Sequence, residues 1–301
     1  MATDTAIPDP SPVAVVRRTV LFGTLPRIAV AAAITTAFRL ILQPLIPAET
    51  QTVLPPSAIA AHGLLPVAFT VYAMIVYPIL AGLFILVRDR LTGPKALQGL
   101  AYGATWAAVW AVYLWEPMPH TAGASVAGLI AYPLADGAAL LLLGLLTGVM
   151  LGQTRLRTVS SSRPPAALLR AVVVAACLVA GRLLAYNTVG LYSVYQTNPG
   201  RTITWAVATG LVAGLVVQWF VRHLAPISPI RAAGLVGLGM FGTNLVLFNF
   251  FVPLALDVDI ADLALRTIVD VASVTLGLLF ITTSLALGKT SARFFNRRLT
   301  L

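Results

Sequence analysis

Eight runs of mostly apolar residues, at about 22–45, 66–87, 97–115, 126–151, 167–186, 203–221, 232–254 and 263–287, dominate this chain. Each matches the roughly 20 residues a helix needs to cross the hydrocarbon core of a bilayer. With 58% hydrophobic and only 10% charged residues, the chain has too little polar surface to coat a soluble domain. In lipid every backbone polar group must be satisfied within the chain, so apolar runs of this length become helices. The expected fold is an all-α polytopic membrane protein with eight transmembrane helices.

Charge sets the expected direction of those helices. Arg17 and Arg18, Arg88, Arg90 and Lys95, Arg155, Arg157 and Arg163, Arg222 and Arg231, and Lys289, Arg293, Arg297 and Arg298 all fall on one side of an eight-span arrangement. The opposite connections hold Arg201 and Arg266 beside Glu49, Glu116, Asp257, Asp259 and Asp262. Lys and Arg accumulate on the cytoplasmic side, so both termini are expected there. The same distribution explains the net charge of +10 without a nucleic-acid partner, because the basic residues lie in separate short turns. The partner that composition implies is the lipid bilayer. Residues 1–16, rich in Pro and lacking a basic region before an apolar core, read as a disordered tail that stays on the chain. The single cysteine, Cys177, lies inside the fifth run and allows no internal disulfide.

The chain also resembles itself. Shifted by 143 residues, "RIAVAAAITTAFRL" (27–40) falls on "RAVVVAACLVAGRL" (170–183), matching Arg27 with Arg170 and Arg39 with Arg182. At a shift of 134 to 136, Arg88 meets Arg222, Pro94 meets Pro229, Asp136 meets Asp270, and "LGQT" meets "LGKT". This reads as two tandem four-helix repeats, 17–158 and 159–290, followed by a basic tail at 291–301. Even-numbered repeats enter the membrane in the same direction, so the repeats are parallel and related by an axis along the membrane normal. Gly99 and Gly103, Gly144, Gly148 and Gly152, and Gly210 and Gly214 follow the spacing that lets helices approach closely in lipid.

Four charges interrupt the apolar runs. Arg39 lies twelve residues beyond Arg27, about 18 Å along a helix, and Asp136 sixteen residues before Gly152, about 24 Å. Both fall in the outer half of the bilayer, and Arg182 and Asp270 repeat the arrangement. An unpaired charge at the bilayer centre costs about 2.5–3.5 kcal/mol on insertion scales, so each Arg should face an Asp inside the protein. Asp136 and Asp270 are both candidate partners for Arg39. These pairs either tie the bundle together or line a cavity, where Arg39 and Arg182 would hold an anionic group and Asp136 and Asp270 would exchange protons.

A second candidate wall is the third run, where Trp106, Trp110 and Tyr113 share one face with Gly99 and Gly103. Such a stripe suits either core packing or a flat hydrophobic ligand, and Trp115 suits the interfacial belt. In the seventh run Gly239, Gly242 and Asn249 share a face and Asn244 lies off it.

Enzyme motifs are missing. His62, His120 and His223 all lie at helix ends or in connections, which excludes axial haem ligation inside the membrane. "LGKTS" (287–291) lacks the first glycine of a phosphate loop, since residue 283 is Thr. No Cys/His cluster or HExxH is present, and "LDVDIAD" (256–262) reads as a solvated outer turn. No cofactor is expected. Two long outer connections, 46–66 and 187–201, either cover a cavity or dock a partner subunit.

These residues lead to a permease for a small anionic or lipid-like substrate, with Arg39, Arg182, Asp136, Asp270, Trp106, Trp110, Tyr113 and Asn249 as candidate binding residues. A non-haem, quinone-binding anchor of a respiratory complex and a scaffold with structural ion pairs are the alternatives.

Overall fold

A computed structural model of the chain describes residues 12–46, 54–117, 126–154, 164–224 and 227–299. Residues 1–11, Glu49, His120, Arg155, Arg157 and Arg163 lie outside the described residues, as do the side chains of Arg17, Arg18, Lys289, Arg293, Arg297 and Arg298.

Long helices account for nearly all of the described chain. They are α1 (Pro12–Leu42), α3 (Leu65–Arg88), α4 (Lys95–Leu114), α5 (Val126–Leu151), α6 (Pro164–Thr188) and α7 (Pro199–Leu224). A composite helix follows, made of α8 (Pro229–Ala232), a π-helical stretch (Ala233–Gly242), α9 (Thr243–Asn249) and α10 (Val252–Ala255), and then α11 (Ile260–Leu299). A single short turn of helix, α2 (Ala58–Ala61), sits between α1 and α3. Among the described residues there is no strand, only one isolated bridge between Pro56 and Leu256.

Seven of these helices are long and apolar enough to cross a membrane. Helix α4 matches them in length, about 30 Å over its 20 residues, but not in hydropathy. Its environment explains the difference. Ten of its residues are buried, including Gln98, Thr105 and both glycines of its close-packing motif, because α5 covers one side and α7 another. A helix enclosed by protein needs less apolar surface than one facing lipid. α1 begins at Pro12, inside the stretch expected to be a tail, and α11 runs on to Leu299.

Each set of four long helices has the same neighbours. In the first, α1 touches α3 and α5, and α4 lies on α5. In the second, α6 touches α7 and α11, and the composite helix lies on α11. The predicted glycines make close backbone-to-backbone contacts. A Cβ on Gly99 would lie 2.6 Å from Gly148 Cα, and one on Gly144 2.7 Å from Gly103 Cα. Gly214 meets Ala171 Cα at 2.7 Å and Gly210 meets Ala175, so α7 packs on an alanine pair of α6.

Pro26, Pro78 and Pro133 lie inside α1, α3 and α5. A helix-interior proline removes the donor to the carbonyl four residues earlier. At Pro133 the orphaned carbonyl is Leu129, and the indole Nε1 of Trp115 donates to it at 2.9 Å. That bond ties the end of α4 to α5 just before Asp136.

The composite helix departs from the predicted face. Gly237, Gly242 and Asn249 are the positions that meet α11, through Thr275, Val271 and Thr267 respectively. Gly239 was expected on that face but approaches only its own helix, at Gly234. The π stretch, with its i→i+5 bonding, spaces like faces five apart and so substitutes Gly237 for Gly239.

Candidate functional site

Arg39 sits in the last turn of α1 and Asp136 about two turns into the apolar span of α5, and the packing of these helices brings them together. Arg39 is 7% and Asp136 6% exposed. The guanidinium Nε donates to Asp136 Oδ1, and Nη1 donates to Gln43 Oε1 at 2.8 Å, one turn further on. The third nitrogen, Nη2, is buried with no acceptor, and so is the Thr36 hydroxyl one turn earlier. Buried donors without partners cost about 1–3 kcal/mol each, so two on one helix face are a departure that needs a reason.

Both residues line a cavity of about 320 Å³. Its floor is buried: Thr36, Arg39, Val76, Tyr77, Trp110 and Asp136. Its rim is exposed or half-exposed and is formed by Leu40, Gln43 and Pro44 of the first helix end, Leu65, Pro66 and Phe69 of α3, and Phe251 from the second half. Phe69 and Phe251 meet as tilted rings with centroids 4.3 Å apart, and Tyr72 OH donates to the Leu247 carbonyl at 2.7 Å. That carbonyl is available because the composite helix breaks at Phe250, where the Phe251 amide turns to Phe248 instead.

The matching pair in the second half is built differently. Arg182, fully buried, holds Asp270 with two parallel hydrogen bonds, Nε to Oδ1 at 2.5 Å and Nη2 to Oδ2 at 2.6 Å. Its Nη1 donates to Glu116 Oε1 at 3.0 Å, and its guanidinium carbon lies 5.0 Å from the Trp205 ring centroid. Tyr113 OH donates to Asp270 Oδ2 at 3.0 Å. Glu116 also accepts from Arg266 Nη1 at 2.5 Å, while Arg266 Nη2 donates to Asp262 at 3.0 Å and to the Tyr192 carbonyl at 2.6 Å. Two guanidiniums and three carboxyl groups thus form one network. Every nitrogen of Arg182 has a partner, whereas Arg39 leaves one without. Each Arg pairs with the Asp of its own half.

Glu116 and Arg266 were read as residues of outer connections. Glu116 does lie in the connection, just past the Trp115 cap of α4, but its carboxyl is drawn into the network, whereas Arg266, 1% exposed, lies within α11. The i, i+4 series Asp262, Arg266, Asp270 was the available signal for Arg266. Nothing in the local sequence marked Glu116.

The aromatic stripe of α4 faces the second half. Trp106 packs on Phe220 at 4.9 Å, and Tyr113 on Trp205 and Phe248. Trp110 donates to Asn244 Oδ1 at 3.0 Å and is the one member of the stripe that lines the cavity. Asn249 turns away and donates to Thr267 Oγ1 at 2.8 Å. Arg182, Asp270, Trp106, Tyr113 and Asn249 are therefore buried outside the cavity, and Arg39, Asp136 and Trp110 line it. Thr36, Gln43, Tyr72 and Tyr77 join them.

The two long connections lie over different features. Residues 55–57 are held to the end of the composite helix, with Ser57 N donating to Ala255 O at 3.0 Å and Asp257 N to Pro55 O at 2.8 Å. Residues 191–195 cap the Arg182 network: Tyr192 N donates to Asp262 at 2.8 Å, and Tyr195 stacks on Tyr186. Residues 47–53 lie outside the described residues. Among the described residues no three His, Cys, Asp or Glu side chains are grouped to hold a metal. No protein-family model, curated protein or solved structure matches this chain.

Proposed function

We propose that the chain is a membrane permease for a small anionic or lipid-like substrate, which binds in the Arg39–Asp136 cavity of the first half. The carrying observation is that cavity: apolar walls around one ion pair, with two buried donors, Arg39 Nη2 and Thr36 Oγ1, left without acceptors. Ligand pockets of this kind are mostly apolar with a few placed polar groups and run from about 300 Å³ upward.

In this reading α4 crosses the membrane with the seven more apolar helices, giving eight spans and cytoplasmic termini. The distribution of Lys and Arg supports that orientation. The two halves are a parallel duplication, supported by their matching neighbours and paired Arg and Asp. Connections 54–64 and 189–198 lie outside, and the Arg182 network is the fixed counterpart of the open site.

Reconstituted vesicles test the reading. Dithionite quenching follows how fast NBD-labelled lysophosphatidylglycerol and NBD-labelled monoacylglycerol cross from the inner leaflet. Acceleration of either by about tenfold over protein-free vesicles, lost in Arg39→Leu/Asp136→Leu, is the expected result. Equal rates with and without protein for both probes overturn transport of this substrate class.

A second reading rests on the aromatic lining. Phe69, Tyr72, Tyr77, Trp110 and Phe251 would sandwich a flat ring, as a quinone-binding anchor requires. A quinone recovered with the purified protein, together with no acceleration of either probe, favours the anchor.

A further inference from the structure

From the charge balance and shape of the cavity, and resting on its reading as a ligand site, we infer that it takes the head of a neutral, membrane-dissolved amphiphile. The head offers a carbonyl-type oxygen to Arg39 Nη2 and Thr36 Oγ1, and the tail leaves between α1 and α3 into lipid.

Charge decides against an anion. Asp136 already neutralises Arg39 on the cavity floor, and among the described residues no second cation lines the site. Adding an anion beside the Asp136 carboxylate would bury a net negative charge among apolar walls, which is far more costly than burying a hydrogen-bonded neutral group. The second half makes the comparison clear, since there a third carboxyl group, Glu116, comes with a second guanidinium, Arg266. The open half has no such addition.

Size decides how much of the ligand fits. At roughly 30 Å³ per small heavy-atom group, the share a water takes in the liquid, 320 Å³ holds about ten such groups. That is a head group or a ring, and a long chain must extend outside. The rim offers a route. Leu40 and Leu65 are half-exposed there, and beside them Ile41, Leu45 and Val67 are 71%, 74% and 62% exposed, a lipid-facing apolar surface continuous with the mouth. Arg39 Nη2 can only donate and the Thr36 hydroxyl can donate beside it, so the two open groups together match one oxygen acceptor.

The test uses the full chain in lipid nanodiscs and a dodecanoic methyl ester with a diazirine near the chain end. Unlabelled methyl dodecanoate and dodecanoate at pH 8 serve as competitors. Saturable labelling of α1 and α3 peptides at one probe per chain is expected, displaced by the ester at least about tenfold better than by the carboxylate. Thr36→Val should weaken labelling by about tenfold, the loss of one hydrogen bond, with no fall in melting temperature, because it removes a hydroxyl that has no partner in the unliganded protein. Leu65→Trp, which narrows the rim, should abolish labelling without unfolding. Better displacement by dodecanoate, labelling unchanged by Thr36→Val, or labelling confined to α6–α11 would each overturn the inference. Positive labelling with no leaflet transfer would leave this site standing and defeat the permease reading. Transfer of lysophosphatidylglycerol alone without ester labelling would do the reverse.

Discussion

At the scale of single residues, the two arginines are held in two different ways. Arg182 is saturated, and its neighbours share its charge. Removing it therefore strands Asp270, Glu116 and Tyr113 together, and Arg182→Leu/Asp270→Leu should recover little of the stability lost by Arg182→Leu alone. Arg39 has one carboxylate partner. Arg39→Leu should cost about 3–5 kcal/mol by leaving Asp136 buried and uncompensated, and Arg39→Leu/Asp136→Leu should restore most of that. Thermal melts of the four variants in one detergent check both statements. Recovery in both doubles, or in neither, would show that the halves do not differ as described. The sequence exposes these charges well, because an Arg or Asp in an apolar run is conspicuous and must find a partner. It does not expose Glu116, which sits at a helix end where a carboxylate ordinarily meets water.

At the scale of elements, apolar length located the apolar spans to within a few residues but not the start of α1 or the end of α11, which run ten and twelve residues further, and winding and packing partners were only partly legible. The glycine spacing of α4 and α5 was readable, and its consequence is steric: Gly148→Leu would drive a side chain into Gly99 and the backbone beside it. That variant should fail to accumulate as folded protein, while Gly82→Ala, with nothing within 4 Å of the added methyl, should accumulate normally. Size-exclusion profiles of the two check this. The π stretch was not readable, since 3.6-residue periodicity is the assumption by which faces are assigned in the first place. Gly237, not Gly239, shares the α11-facing side with Gly242 and Asn249, as the wider π winding allows. α4 shows the complementary limit: covered by α5 and α7, it can carry Gln98, Thr105 and close-packed glycines, and it gives the weakest membrane signal of the long helices.

At the scale of the whole molecule, the first and second halves meet through aromatic packing of α4 on α7 and through the bridge at Pro56 and Leu256. No motif forecast that bridge, because backbone pairing between distant loops leaves no composition behind. It supplies a test of motion. Opposed residues of such a bridge lie about 4.5–5.5 Å apart at Cα, within disulfide range. In a Cys177→Ala background, Pro56→Cys/Leu256→Cys should oxidise readily. For a permease that opens at this seam, oxidation should stop leaflet transfer and reduction should restore it, whereas a static anchor would keep its bound quinone in both states. The same seam has a consequence in time. Phe69 and Phe251, which meet across the cavity rim, are separated by 251 − 69 = 182 residues of chain. At 5–20 residues per second of synthesis, Phe69 waits roughly 10–40 s for its partner. Through that interval Arg39 faces the membrane with one wall of its cavity not yet made, so the cleft is expected to close around whatever molecule the bilayer has already supplied.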